Sequence, residues 1–209
     1  MKALRKILQR TPWYGAIKTL GHYPDYWYWQ LRGRPARSPH LLKQRTVREY
    51  AEKYGLRILI ETGTYYGEMI SAMKKRFDRI YSIEFNPQLA RRAIRKFERF
   101  PNIQIVEGDS QQVLPELLKL LREPAVFWLD AGYYAWGGVE NDKQRLSTEF
   151  EAILRHPVKG HVILMDDARG LNGQNGALTV GELKRRIEEE FPDRTVEVNY
   201  DILRITPRG

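Results

Sequence analysis

The pattern of apolar and polar positions changes character near residue 55. Beyond it, short apolar runs rich in β-branched residues alternate with segments of helical period. The runs are RILIET (57–62), RIYSIE (79–84), NIQIVEG (102–108), AVFWLD (125–130) and HVILMD (161–166). The helical segments are GEMISAMKKRF (67–77), PQLARRAIRKFERF (87–100), SQQVLPELLKLL (110–121), one near Lys143–His156, and VGELKRRIEEEF (180–191). Met69, Ile70, Met73 and Phe77 share one side of the first helix. Leu89, Ala93, Ile94 and Phe97 point inward on the second, with Pro87 in its first turn. RTVEVNY and DILRIT close the chain as two strands joined by a tight turn at Tyr200–Asp201. Continuously apolar strands separated by helices predict a parallel sheet covered on both faces. The last pair has no intervening helix, so it is antiparallel. The expected fold is α/β and Rossmann-like. It is a doubly wound, mostly parallel, seven-stranded sheet with an antiparallel last strand, preceded by an N-terminal helical extension.

Before residue 55 the pattern is weaker. MKALRKILQR places Leu4, Ile7 and Leu8 on one face of a short basic amphipathic helix. A stretch rich in Trp and Tyr follows, broken by Gly and Pro, with no regular element expected beyond one turn of helix. A helix over Leu41–Tyr54 then puts Val47, Tyr50 and Ala51 on a shared face, and Gly55 ends it. The chain thus divides into a basic, aromatic cover (1–54) and a Rossmann-like domain (55–209).

Charge sharpens that division. The net charge is +9 over 209 residues, and residues 1–50 hold 11 Lys/Arg against two acids, so the whole excess lies there. The extension can meet an anionic partner or serve as a solvated arm that packs over a pocket. Trp13, Trp27 and Trp29 among these cations suit RNA stacking, an acidic saccharide or peripheral membrane contact. No apolar run reaches the ~20 residues of a bilayer span, and no signal peptide is visible. Cysteine is absent. That excludes disulfides, thiolate metal sites and a cysteine nucleophile, and it fits a cytoplasmic protein.

In such sheets ligands bind beyond the carboxyl ends of the strands. There the five strands deliver Glu61, Glu84, Asp109, Asp130 and Asp166-Asp167. Clustered carboxylates repel unless a cation, hydroxyl donors or a metal compensates. The turn ETGTYYG after the first strand carries Gly63 and Gly67 but no Lys, so it is no P-loop. Tyr65 stands where a dinucleotide fingerprint needs glycine. An acidic rim also disfavours phosphates. A nucleoside with hydroxyls and a positive centre fits better. Glu84 follows Glu61 by 23 residues, the spacing of an acid that meets ribose hydroxyls. Asp109 is placed to accept from an exocyclic amine.

The segment from about Arg57 to Thr206 resembles the class I S-adenosylmethionine-dependent methyltransferases. ETGTYYG resembles their first motif, Glu84 in YSIEF their ribose-binding acid, EGDS their adenine-binding turn, and FWLDAGYYAW their fourth-strand motif. The resemblance implies that Glu61, Thr62, Gly63, Tyr65, Gly67, Glu84, Asp109, Ser110 and Asp130 hold S-adenosylmethionine. ETGTYYGEM, IYSIE, GDS, FWLDA and VILMDDAR are together similar to a bacterial methyltransferase-like group linked with surface-polysaccharide and natural-product pathways. There a His commonly stands two residues after the fourth-strand Asp, where this chain has Gly132. Catalytic candidates are therefore Asp130, Asp166 and Tyr133. Asp130, Asp166 and Asp167 could hold Mg²⁺ as in metal-dependent O-methyltransferases, or Asp130 could serve the cofactor while Asp166 or Asp167 caps a turn. Tyr65, Tyr66, Tyr133, Tyr134 and Trp136 are rim aromatics, and Arg169–Gly176 is a Gly/Asn loop on the acceptor side. His156 and His161 read as structural, and neither His22 nor His40 is expected in the site.

The implied activity is O-methylation of a small-molecule or saccharide acceptor. The alternatives are an RNA methyltransferase using the basic extension and a non-catalytic S-adenosylmethionine-binding protein. Whether the chain forms a homodimer stays open.

Overall fold

A computed structural model describes residues 24–33, 38–130, 148–174 and 178–208. The element order is helix α1 (24–31), α2 (His40–Lys53), β1 (Ile58–Thr62), α3 (Glu68–Met73), β2 (Arg79–Glu84), α4 (Pro87–Phe97) and β3 (Ile103–Glu107). It continues with α5 (Ser110–Leu120), β4 (Val126–Leu129), α6 (Thr148–Leu154), β5 (Val162–Met165), α7 (Val180–Glu190), β6 (Arg194–Asn199) and β7 (Ile202–Pro207). The seven strands form one sheet in the order β3-β2-β1-β4-β5-β7-β6. β1 to β5 run parallel, while β7 inserts antiparallel between β5 and β6. The expected Rossmann-like fold is the one observed.

Two apolar layers cover the sheet. On one face Leu114, Phe127, Phe150, Ile153, Leu183 and Ile187 pack between the sheet and α5, α6 and α7. On the other, Val47, Ala51, Leu59, Met69, Ile70, Met73, Phe97 and Trp128 pack among α2, α3 and α4. Central strands buried on both faces need apolar side chains throughout, which is why β1, β4 and β5 lack alternation.

Local signals fix the helix starts. Asn86 caps α4 through its side-chain oxygen, which accepts from Gln88 N and Leu89 N at 2.9 and 3.1 Å, with Pro87 following. Thr179 and Glu182 form a capping box on α7. Tyr200 and Asp201 have φ of 51° and 62°, the left-handed pair that a two-residue hairpin requires.

Several expectations need correction. Ile94 is exposed, and Ala90 joins Ala93 and Phe97 in the buried face of α4. Two alanines there let the helix approach the sheet closely, leaving Ile94 on its flank. α3 ends at Met73, although Phe77 is buried as expected. α1 is longer than the single turn anticipated. The amphipathic helix of residues 1–10, Trp13, His22 and the start of the Lys143–His156 helix lie outside the described residues.

Candidate active site

The order of strands reverses between β1 and β4, and the crevice beyond their carboxyl ends is where such sheets bind ligands. The turn from β1 into α3 forms one wall. Its backbone takes positive φ at Gly63 (84°), Tyr65 (49°) and Gly67 (66°). Gly67 has a second reason to be glycine, because a Cβ there would lie 2.6 Å from the Phe97 ring. The turn is tied to β2: Gly63 N donates to Ile83 O at 2.9 Å, and the Thr64 and Ser82 hydroxyls meet at 2.6 Å. Glu84 fastens two loops at once. One carboxylate oxygen accepts from Tyr65 N at 2.7 Å and the other from Asn86 N at 2.9 Å.

This wall borders a cavity of about 700 Å³, within the usual size range for small-molecule sites. Glu61, Gly63, Tyr65, Glu84, Asp109, Ser110 and Asp130 line it, as do Tyr66, Trp128 and three residues the sequence reading did not expect: His40, Lys43 and Glu149. Burial dominates the electrostatics. It pushes the Glu61 carboxyl up to about 8, with Asp130 and Glu84 adding to the rise and the Ser82 hydroxyl opposing it. Burial, then the neighbouring Asp166, raises Asp130 well above the usual carboxylate range. Asp166 is raised by burial too, against the pull of Lys43, whose ammonium donates to it. Among the described residues, the buried oxygens Thr62 Oγ1, Glu149 Oε1 and Asp166 Oδ1 have no hydrogen-bond partner. A cavity of this size, lined by the carboxylates of Glu61, Glu84, Asp109, Asp130 and Glu149, suits a ligand that brings N–H, O–H and positive charge.

No family model matches the chain. Among curated proteins it is 35% identical over 74 residues to the "Probable ribosomal RNA small subunit methyltransferase A" of Thermococcus onnurineus, a match over 35% of this chain and 27% of that protein. The chain thus spans about a quarter of that relative's length. Solved structures align over far more. An O-methyltransferase from Bacillus cereus in complex with SAH superposes with TM-score 0.59 at 16% identity, covering 86% of each chain. TomG, the Streptomyces achromogenes O-methyltransferase of tomaymycin synthesis in complex with SAM, gives 0.56 at 16% identity over 87% of this chain and 86% of its own. The 23S rRNA methyltransferase ErmE gives 0.50 at 20% identity over 79% and 68%.

The chain has the class I methyltransferase fold. At these identities the likeness is one of fold. Within that methyltransferase fold, Thr62 and Gly67 stand beside the cavity rather than on its lining, Thr62 buried in β1 and Gly67 at the N-terminus of α3. Tyr133, Gly132, Tyr134, Trp136 and part of the Arg169–Gly176 loop lie outside the described residues.

Of the two alternatives for Asp130, Asp166 and Asp167, the Mg²⁺ site finds no support among the described residues. Among the described residues no group of three His, Cys, Asp or Glu could hold a metal ion. Asp167 pairs with Arg169 at 2.8 Å and is half exposed, while Asp166 is engaged by Lys43. A lysine ammonium supplies the positive charge there, and the donor set does not fit Mg²⁺.

α2 explains the additions from the N-terminal side. His40 opens the helix and stands 3.6 Å from Glu68. Lys43 lies one and two turns from Val47 and Tyr50, the face the sequence already marks as inward, so its spacing was a usable signal. Glu149 enters from α6 with no such signal, since only the fold brings α6 to the Asp109–Ser110 turn. His156 and His161 form a buried pair at the opposite end of the sheet. His156 Nδ1 and His161 Nε2 lie 2.9 Å apart, His156 Nε2 is 2.9 Å from Leu118 O, and Ala125 N donates to His161 Nδ1 at 3.1 Å.

Proposed function

We propose that the protein is an S-adenosylmethionine-dependent methyltransferase that methylates an oxygen of a small-molecule or saccharide acceptor. The observation carrying this reading is the carboxylate-lined cavity at the β1–β4 switch point. It matches the ammonium, sulfonium and ribose hydroxyls of that cofactor. When bound, the cofactor supplies a methyl group on a positively charged sulfur. Glu84 keeps an acceptor position on each oxygen after its backbone bonds, enough for two ribose hydroxyls. Glu61 faces the cationic amino-acid portion, and Asp109 and Ser110 face the base. Thr62, Gly63, Tyr65 and Gly67 shape the turn around the methionine part.

Asp130 and Asp166 stand on the acceptor side. Asp130, whose carboxyl is raised towards neutrality, is a competent base for an acceptor hydroxyl, and Lys43 donates to Asp166 and opposes the rise that burial imposes on it. Alignment of acceptor and methyl group carries most of the rest. Tyr133 belongs to this proposal through the sequence motif alone. The O-methyltransferases among the structural neighbours support an oxygen acceptor. An RNA acceptor is the second reading, favoured by the +9 net charge gathered in residues 1–50 and by the names of the ribosomal relatives.

Calorimetric titration with S-adenosylhomocysteine tests the core of this. Binding in the micromolar range is expected, weakened at least about tenfold by Glu84→Gln, which loses one acceptor oxygen. The melting temperature of the variant is read alongside, because Glu84 also joins two loops. Absence of binding to the wild type, or binding indifferent to Glu84→Gln, refutes the assignment. A steep salt dependence of RNA binding would shift the acceptor to RNA.

A further inference from the structure

Pro24, Trp27, Tyr28 and Leu31 follow the i, i+3, i+4, i+7 spacing that gathers side chains on one face of α1. All four are exposed, Trp27 to 63%, Tyr28 to 61% and Leu31 to 85%. The opposite face is anchored. Trp29 is buried and meets the Tyr200 ring edge-on at 5.4 Å. Tyr26 packs under the Arg45 guanidinium at 4.8 Å, and its hydroxyl accepts from Gln30 Nε2 at 2.8 Å. Trp27 also meets Tyr26 edge-on at 6.1 Å and still leaves most of its surface in solvent. α1 is thus held by one side and offers the other outward. Large apolar side chains gathered on one exposed face mark a contact.

The surroundings say what kind of partner fits. The Arg32 guanidinium lies over the Tyr28 ring at 5.5 Å, and Arg45 and Arg48 are exposed on α2. Residues 1–50 set 11 Lys/Arg against Asp25 and Glu49. A second copy of the chain would bring the same cations to the same face, and four side chains fall short of the roughly 800 Å² that each partner of a stable dimer buries. RNA would stack on the rings, but Leu31 is aliphatic and offers no ring to a base. An anionic bilayer uses every part. Leu31 and the ring bodies of Trp27 and Tyr28 enter the acyl boundary, the polar tips of the rings stay at headgroup level, and the arginines meet the anionic headgroups. A helix of about eight residues cannot cross a bilayer, so it lies in the interface plane. We propose that α1 docks the protein on an anionic lipid surface through Pro24, Trp27, Tyr28 and Leu31. The anchorage of α1 sets the orientation. Tyr200 belongs to the β6–β7 turn, which lies at the carboxyl end of β5 because Leu203 of β7 pairs with Met165. Ser38, between α1 and α2, donates to the Tyr200 carbonyl. Docking therefore brings the lipid surface to the end of the sheet that carries the cavity, and it requires neither cofactor nor acceptor.

The experiment is flotation of the full chain with vesicles of phosphatidylcholine, alone and with about 30% phosphatidylglycerol. Binding to the anionic vesicles is expected, weakened by salt and at least about tenfold tighter than to the neutral ones. Trp27→Ser together with Leu31→Ser should weaken it at least about tenfold at an unchanged melting temperature, since both side chains are exposed. Acyl chains brominated near the headgroup should quench tryptophan fluorescence in the wild type, and Trp27→Phe should remove most of that quenching. Failure to float with anionic vesicles, equal binding to neutral ones, or binding that the double variant keeps overturns the proposal. Binding of a single-stranded RNA oligonucleotide, or self-association in sedimentation, that the double variant loses while vesicles stay unbound also overturns it and reassigns the stripe.

Discussion

Replacing Lys43 by methionine keeps the length and apolar stem of the side chain and removes its charge. Lys43 is 15% exposed and the Asp166 side chain it meets is 3% exposed, so the pair is largely shielded from solvent. Burial raises both Asp130 and Asp166, the charge of Asp166 adds to the rise of Asp130 and that of Asp167 to the rise of Asp166, and Lys43 is a force that lowers each. Removing one partner of a buried pair costs about 3–5 kcal/mol when the other stays charged. Asp166 can escape by taking up a proton, which becomes easier by about 1.4 kcal/mol for each unit that pH falls. At pH 8.5 the variant should therefore lose about 3–5 kcal/mol. At pH 5.5, with the carboxyl protonated in the variant, only a hydrogen bond is lost, about 1 kcal/mol. Urea unfolding at both pH values reads the difference; with a slope near 2 kcal/mol/M the midpoint falls by roughly 2 M at the higher pH and by about 0.5 M at the lower. Equal losses at the two pH values, or a loss under about 1 kcal/mol at pH 8.5, would refute the idea that Lys43 holds the acidic dyad together.

Burial pushes the His161 imidazole down to about 3 from 6.5, so between those values the unfolded chain binds a proton that the native chain refuses. Stability should fall as pH drops through that window, by up to about 1.4 kcal/mol per unit, and urea midpoints from pH 7 to pH 4 check it, a flat profile counting against a buried neutral His161 imidazole. Glu61 has the opposite sign: raised from 4.5 to about 8, it is protonated in the native chain and ionised in the unfolded one, so its contribution is lost as pH rises through that range. If Glu61 meets the cationic end of the cofactor, S-adenosylmethionine affinity rises between pH 6 and 8 with proton release, seen in calorimetry across buffers of different ionisation heat and absent in Glu61→Gln. Gly67→Ala places a Cβ 2.6 Å from the Phe97 ring at φ +66°. Left-handed strain of about 1 kcal/mol and displacement of a buried ring at about 1–3 kcal/mol predict a loss of about 2–4 kcal/mol in chemical unfolding, and a loss under 0.5 kcal/mol contradicts it.

The sheet was legible because burial leaves a one-dimensional trace. ILI of β1, VFWL and VILM are apolar at every position because both faces are covered, and their ends then name the rim that holds Glu61, Asp130 and Asp166. The turn at Tyr200–Asp201 was legible from the lack of an intervening helix. What holds that turn was not. Tyrosine is an unusual choice at φ 51°, and contacts from far upstream offset the strain. Trp29 meets the Tyr200 ring edge-on at 5.4 Å and the Ser38 hydroxyl donates to the Tyr200 carbonyl. Arg169 adds a backbone N–H at 2.7 Å to the Asp201 carboxylate. Contacts separated by 32 to 171 positions leave no periodic signature. Ile94 shows the reverse failure, since an apolar residue at an apparently suitable spacing yields to the closer fit of two alanines.

α2 joins these two kinds of information. Its buried face, with Val47 and Ala51 fully enclosed, is amphipathic patterning of the ordinary kind. The same face, continued one turn towards the N-terminus, carries Lys43 to the ends of β4 and β5. The packing of Val47 and Ala51 thus fixes the ammonium beside Asp166, and the charge of Lys43 in turn lowers the cost of burying two acids at the rim. A helix that packed less tightly would hold the cation less firmly, and the acidic dyad would have to protonate or take in water. The core on this face and the chemistry of the rim are therefore one structural requirement, and the N-terminal segment is where the sequence meets both.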